Sequence, residues 1–374
     1  MTETYFPLFE FYPELKKIPK LNLGVFPTPI KRLANLEKEL NISSKIYIKR
    51  DDLSNQNIYG GNKVRKLEFT LAKVLNKKSK RIITGGGIGS NMTIAVSAFA
   101  REYNIKVNSV FFPQPKNDYV NKNFDKNIKL GSEIYCSKGY LGLCFKILST
   151  MFFYTLKEQK IPYLVIPGDS NPLSNLGYVN CIFELKKQIE ENILEEPDYI
   201  FVSSGSCGTT AGLLAGIKLA NLKSKIIAVR VAEPIVANKK NIIKMAYKTI
   251  NFIEKNINEF KTSYGVSTPQ EEGSGGSAPV PPETPEQSSE VFSNKNKKLQ
   301  LKIAENDIEV LESYLGKGYG HEIPDLYETI ELLSKTEEIK LDPTYTAKGF
   351  LGLLDFVKKL ESKTVLFIHT YSYI

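Results

Sequence analysis

Short apolar runs recur along the chain, separated by stretches with helical spacing. Ile82-Ile83 follows Arg81, and later come Val107 to Phe112, Tyr163 to Ile166, Tyr199 to Val202, Ile226 to Val229 and Val365 to Ile368. Runs this short, rich in β-branched residues and closed by Gly, Pro or Ser, predict strands buried on both faces. Between them Met92 to Glu102 and Ala211 to Lys218 carry helical patterns, and Leu67, Leu71 and Leu75 recur at helical spacing after Gly60-Gly61. Alternating strand and helix predicts an α/β fold whose mostly parallel sheets are covered by helices. Ligands in such sheets bind beyond the carboxyl ends of strands, and glycine-rich turns follow the strands ending near Thr84 and Val202.

One stretch breaks the pattern. Ser267 to Glu290 has no Lys, Arg, Ile, Leu or Phe and consists mostly of Ser, Pro, Gly and Glu. It cannot bury enough apolar surface to order itself, so residues 267–290 are expected to form a disordered insertion.

Composition narrows the function classes. A length of 374 residues suggests two or three domains, and 42% hydrophobic residues suffice for real cores. Cys136, Cys144, Cys181 and Cys207 have neither CxxC nor metal spacing, which excludes a disulfide framework or zinc site from the expectation. Met1-Thr2-Glu3-Thr4 lacks the basic start of a signal peptide, and the most apolar stretch, Ile147 to Leu156, is too short to span a bilayer. A cytoplasmic protein without a membrane partner is expected. The net charge of +9 is spread over dispersed lysines, with only short clusters at 77–81 and 295–298, so no nucleic-acid partner is expected.

Three glycine-rich segments carry the candidate chemistry. In Gly60-Gly61-Asn62-Lys63 a lysine stands at the exit of a tight turn where a helix begins, a place to hold a reactive amine. The same residues would serve a plain turn before a basic amphipathic helix. Ser204-Gly205-Ser206-Cys207-Gly208-Thr209-Thr210 lies between a strand and a helix, so its N–H groups and hydroxyls can converge on a phosphate. No GxxxxGK[ST] pattern is present, and Gly205, Gly208 and Gly212 do not meet the dinucleotide spacing. Gly86-Gly87-Ile88-Gly89-Ser90-Asn91 again opens a helix after a strand, where Ser90 and Asn91 suit both capping and site roles. His321 and His369 have no matching triad partners, which argues against a hydrolase.

Together with Lys49-Arg50-Asp51-Asp52-Leu53, Ile166 to Leu173 running into Leu176-Gly177-Tyr178-Val179, Gly318-Tyr319-Gly320 and Leu341 to Gly349, these segments resemble the pyridoxal-phosphate enzymes that include 1-aminocyclopropane-1-carboxylate (ACC) deaminase and D-cysteine desulfhydrase. The resemblance covers nearly the whole chain. It implies pyridoxal-phosphate fold type II, with two three-layer α/β domains facing each other across the cofactor. Residues 1–65 and 171–374 would form the large domain, interrupted by 267–290, and 66–170 the small one. Lys63 would be the Schiff-base lysine, Lys66 a phosphate neighbour, and Gly205, Ser206, Cys207, Gly208 and Thr209 the phosphate loop of pyridoxal 5'-phosphate. Asn91 would contact the cofactor ring oxygen, Thr370 the pyridine nitrogen, and Ser90, Tyr319 and Tyr345 the reacting substrate. Thr346 occupies the position where ACC deaminases resemble Tyr-Glu and D-cysteine desulfhydrases Tyr-Thr. The resemblance therefore implies a small amino acid as substrate, D-cysteine first and ACC as the alternative, and a homodimer. Gly89, where the family usually carries Gln, Asp169, and the ending after Thr370 depart from the pattern and support a second reading, a cofactor-binding protein with little catalysis.

Overall fold

A computed structural model describes residues 5–263 and 301–371. The segment 267–290, with its expected disorder, lies outside the described residues. Among the described residues ten strands form two sheets.

The larger sheet runs in the order β1 (Ile30–Arg32), β2 (Lys45–Lys49), β10 (Thr364–Ile368), β7 (Tyr199–Ser204), β8 (Lys225–Arg230), β9 (Ile308–Leu311). All pairs are parallel except β1 with β2, and the register sets Val365 opposite Ile46 and Phe201 opposite Ile227. Alternation decides what covers it. Ile200, Val202, Ile226, Ala228, Leu366 and Ile368 join one core with α1 (Leu8–Phe11), α7 (Pro172–Glu190), α8 (Gly208–Ala220) and α9 (Lys239–Ser263). Their neighbours Phe201, Ile227, Val229, Val365 and Phe367 point the other way, into a core with α2 (Ala34–Glu39), α10 (Leu326–Glu337) and α11 (Thr346–Val357). Burial on both faces explains the unbroken apolar runs in these strands.

The smaller sheet, β5 (Glu133–Cys136), β4 (Lys106–Phe112), β3 (Arg81–Gly87), β6 (Tyr163–Val165), is wholly parallel. Ile82 and Val107 pack with α3 (Asn62–Asn76) and α4 (Asn91–Glu102). Ile83, Val110 and Phe112 pack with Leu143 and Ile147 of α6 (Tyr140–Glu158), while α5 (Asp118–Lys129) lies against α4. The chain thus forms two α/β domains with mostly parallel sheets. Helix α3 belongs to both cores: Leu67, Leu71 and Val74 enter that of the small sheet, and Phe69 that of the large one. Among the described residues no helix is long and apolar enough to cross a membrane.

Candidate active site

The carboxyl ends of β3, β7 and β10 converge on one cavity of about 290 Å³ between the two sheets. Lys63, Ser90, Asn91, Gly205, Ser206, Cys207, Thr209, Tyr319, Tyr345 and Thr370 all line it. Lys66, Gly208 and Thr346 do not.

Lys63 reaches the cavity because α3 begins one residue earlier. Its N-cap, Gly61, has φ +86°, and a Cβ there would meet the Thr370 carbonyl oxygen at 2.7 Å, so only glycine fits where the β10 end crosses the helix start. Lys63 is enclosed by protein with its free part turned to the cavity. Burial, reinforced by the nearby Lys66 ammonium, pushes the Lys63 amine down to about 7 despite Asp169 and Asp342. Lys66 is fully buried one helical turn on, and burial pushes it down to about 8. Its Nζ donates to the Gly168 carbonyl at 2.9 Å and lies 2.6 Å from where a Cβ on Gly208 would sit, immediately behind the first residue of α8.

The turn before α8 is built to leave its inner face open. Cys207, at φ +67°, caps the helix, and its thiol donates to the Val236 carbonyl. Ser170 braces the turn from outside, donating to Ser206 Oγ at 2.8 Å and accepting from the Gly208 N–H at 3.2 Å. A Cβ on Gly205 would meet nothing closer than Tyr345 Cε1 at 3.8 Å. Thr209 accepts from Asn62 Nδ2 at 3.2 Å, which ties the α8 start to the α3 start.

Across the cavity Ser90 caps α4, its Oγ accepting from the Met92 N–H at 3.3 Å. Asn91 Oδ1 accepts from the Tyr119 hydroxyl at 2.8 Å and from Asn123 Nδ2 at 3.1 Å. The hydroxyls of Tyr319 and Tyr345 hydrogen-bond to each other, with the rings edge to face at 6.0 Å. Burial raises both phenols above their ordinary range, so both stay protonated near neutrality. Thr346 turns away from the cavity: its Oγ1 donates to Asp342 Oδ2 at 2.7 Å and accepts from the Asp342 N–H at 2.8 Å.

Four residues enter the picture only with the structure. Asp342 lines the cavity and accepts from the N–H groups of Thr344, Tyr345 and Thr346, which seats Tyr345. Its signal was an Asx-turn spacing inside Asp342-Pro343-Thr344-Tyr345. Asn62 lay unread inside the lysine motif. Tyr119 and Gln114 come from the segment after β4 and carry no local signal. Gln114 accounts for the departure at Gly89: its Oε1 accepts the Gly89 N–H at 3.0 Å, and a Cβ on Gly89 would approach Gln114 Nε2 and Val120 Cγ2 at 3.1 Å. A side chain at 89 would require the Gln114 amide to shift. At the other departure, Asp169 Oδ2 accepts from Thr70 Oγ1 at 2.6 Å and its Oδ1 from Asn171 at 2.7 Å.

The donor set fits a phosphorylated aldehyde. Two buried amines flank a helix N-terminus, and the nearest acids are already engaged, Asp169 by Thr70 and Asn171 and Asp342 by its own turn. A dianion at the α8 turn would balance that charge, and one of the amines is unprotonated enough near pH 7 to attack a carbonyl.

Comparison with known proteins gives the same answer. The family model described as pyridoxal-phosphate dependent enzyme matches residues 21–370. A Thermotoga maritima protein, provisionally named 1-aminocyclopropane-1-carboxylate deaminase, is 30% identical over 94% of this chain and 95% of its own. A D-cysteine desulfhydrase of Klebsiella pneumoniae is 26% identical over 95% of this chain and 94% of its own. The crystal structure of an ACC deaminase homologue superposes with a TM-score of 0.72 at 27% identity, covering 96% of this chain and 94% of that one.

Proposed function

From a chain that belongs to the pyridoxal-phosphate dependent enzyme family, we propose a lyase for a small amino acid that converts D-cysteine and water to pyruvate, sulfide and ammonia. One observation carries the reading: a single cavity holds a lysine amine pushed down to about 7 and a pair of phenols pushed up. The amine is a base near neutral pH, and the phenols stay protonated beside it, weak acids that can donate a hydrogen bond or a proton to a basic sulfur. An elimination needs both, one to take the α-proton and one to protonate the departing sulfur.

Bound on Lys63, pyridoxal phosphate supplies an electron sink conjugated to the carbon that bears the substrate amine. Lys66 and the α8 turn from Gly205 to Thr209 would hold the phosphate, and Asn91 and Thr370 stand on the wall where the ring would lie. The Ser90 hydroxyl and the α4 N-terminus favour a carboxylate at their end of the cavity. The Lys63 amine would take the α-proton. The Tyr319–Tyr345 pair gives a proton to sulfur as the C–S bond breaks.

ACC as substrate is the second reading, favoured by the name of the Thermotoga relative. ACC has no α-hydrogen, so its ring must be opened with a stronger electron sink, which a carboxylate beside the pyridine would provide. Thr346 offers none, and both oxygens of the Asp342 carboxylate are held within its own turn. The deciding experiment is an amino-acid panel assayed for pyruvate, 2-oxobutanoate, sulfide and ammonia. Sulfide and pyruvate from D-cysteine are expected; rapid 2-oxobutanoate from ACC with no sulfide from D-cysteine reverses the assignment.

A further inference from the structure

Tyr119 and Asn123 stand one turn apart on α5 and meet the same neighbour, the start of α4. A backbone group that can only accept orients the Asn123 amide, whose Nδ2 donates to the Gly89 carbonyl at 3.0 Å. The same nitrogen donates to Asn91 Oδ1 at 3.1 Å, and the Tyr119 hydroxyl donates to that oxygen at 2.8 Å. Two donors thus fix which end of the Asn91 amide faces α5. Its oxygen is committed there, and its Nδ2, which has no partner among the described residues, is what Asn91 offers to the cavity it lines.

We propose that Tyr119 is a positioning residue for the cofactor: by holding Asn91 Oδ1 it keeps the Asn91 amide a hydrogen-bond donor, which favours the ring oxygen of bound pyridoxal phosphate as an anion. The inference rests on the cofactor reading above and not on the choice between D-cysteine and ACC. An amide free to turn would present its oxygen as readily as its nitrogen, and an oxygen there favours a protonated ring hydroxyl. Tyr119 excludes that alternative because its phenol stays a donor. Burial holds it well above its ordinary range, with Asp342 from the turn before α11, Tyr59 from the segment before α3 and Tyr371 after β10 facing it, against the Asn123 amide. The Tyr371 ring lies 6.2 Å from that of Tyr119, so one side chain braces both Asn91 and the segment that carries Thr370. A packing role would need the Tyr119 ring alone. The hydroxyl is spent on a residue of the cavity wall.

Absorbance of the cofactor-loaded full chain, followed across pH, tests the proposal. A donor favours the anion, so losing it raises the pH at which the bound cofactor titrates. Tyr119→Phe keeps the ring and removes the donor; its midpoint should rise by about one pH unit, roughly a tenfold change in the ionisation equilibrium, while circular dichroism and cofactor stoichiometry stay unchanged. Asn91→Asp, nearly the same shape, sets a carboxylate oxygen where Nδ2 stood and should raise the midpoint further. An unchanged or lowered midpoint in Tyr119→Phe overturns the proposal, and so does an Asn91→Asp variant that titrates like the wild type. A wild-type chain that takes up no pyridoxal phosphate overturns the cofactor reading itself, a result distinct from uptake with an unmoved midpoint.

Discussion

Lys63 and Lys66 share one enclosed region, and the first consequence is kinetic. An amine attacks a carbonyl only when unprotonated, and burial with Lys66 nearby holds Lys63 at about 7, so its reactive fraction grows as pH rises through neutrality. Capture of pyridoxal phosphate by the apo-protein, trapped with borohydride and located by peptide mass spectrometry, should therefore accelerate with an inflection near pH 7 and label Lys63. An inflection in the ordinary lysine range, or label on another lysine, contradicts the assignment. At Gly205 the open space above the Cα separates fold from binding. Gly205→Asp should leave the melting temperature of the apo-protein nearly unchanged yet weaken cofactor affinity about 100-fold or more, because the added carboxylate blocks and repels a phosphate. Similar affinity in a folded variant would move the phosphate elsewhere. These residues were legible in sequence because glycine, lysine and small polar residues crowd together where backbone must approach a ligand. Gln114 was not, since its role arises from filling the space at Gly89, a relation between loops far apart in the chain.

At the scale of elements, β3, β4, β7, β8 and β10 could be read from apolar runs because both faces of each are largely buried, and the edge strand β6 because Tyr163 to Val165 are all apolar. β5 could not: its residues are partly or largely exposed at the sheet edge, so Glu133-Ile134-Tyr135-Cys136 carries no run. The apolar stretch Ile147 to Leu156 was visible, but sequence alone does not tell an inward face from an outward one, and α6 has both. The turn into α11 shows how an element seats a side chain. Asp342 accepts three successive backbone N–H groups and the Thr346 hydroxyl, which fixes Tyr345 beside Tyr319. Asp342→Ala would leave those buried donors unpaired and should cost about 3 kcal/mol in urea unfolding, with Asp342→Asn milder. Turnover should fall beyond the effect of Tyr345→Phe, because the whole turn moves. Thr346→Glu is expected to disrupt the same turn rather than tune the cofactor, since Thr346 is fully buried against Asp342.

The molecule as a whole holds Lys63 through a buried ionic cluster two residues further along α3. Arg65 donates to both Asp51 oxygens, at 2.9 and 2.8 Å, and to Glu184 Oε2 at 2.9 Å. Lys49 Nζ donates to Glu184 Oε1 at 2.6 Å and the Tyr178 hydroxyl to Asp51 at 2.7 Å. β2, α3 and α7 are thereby joined in one network with Lys49, Arg65, Asp51 and Glu184 all essentially inaccessible. Because α3 also packs into the cores of both sheets, this cluster sets the helix against the large sheet while its apolar residues set it against the small one. Against the upward push of burial, Arg65 and Lys49 hold both carboxyls below their ordinary range. Their contribution is therefore present above the unfolded carboxylate pKa and lost as pH falls through the depressed folded values. Removing Arg65 leaves two carboxylates buried with one cation between them, the costly way to break such a cluster. Arg65→Met should destabilise by about 3–5 kcal/mol at pH 7 and by less in acid, where the unpaired carboxyls can protonate. Urea unfolding at the two pH values measures the difference, and a double-mutant cycle with Glu184→Gln should return a coupling of about 1 kcal/mol or more. A loss that stayed the same at both pH values would assign Arg65 to packing alone, against the Phe26 ring that lies 4.2 Å from its guanidinium.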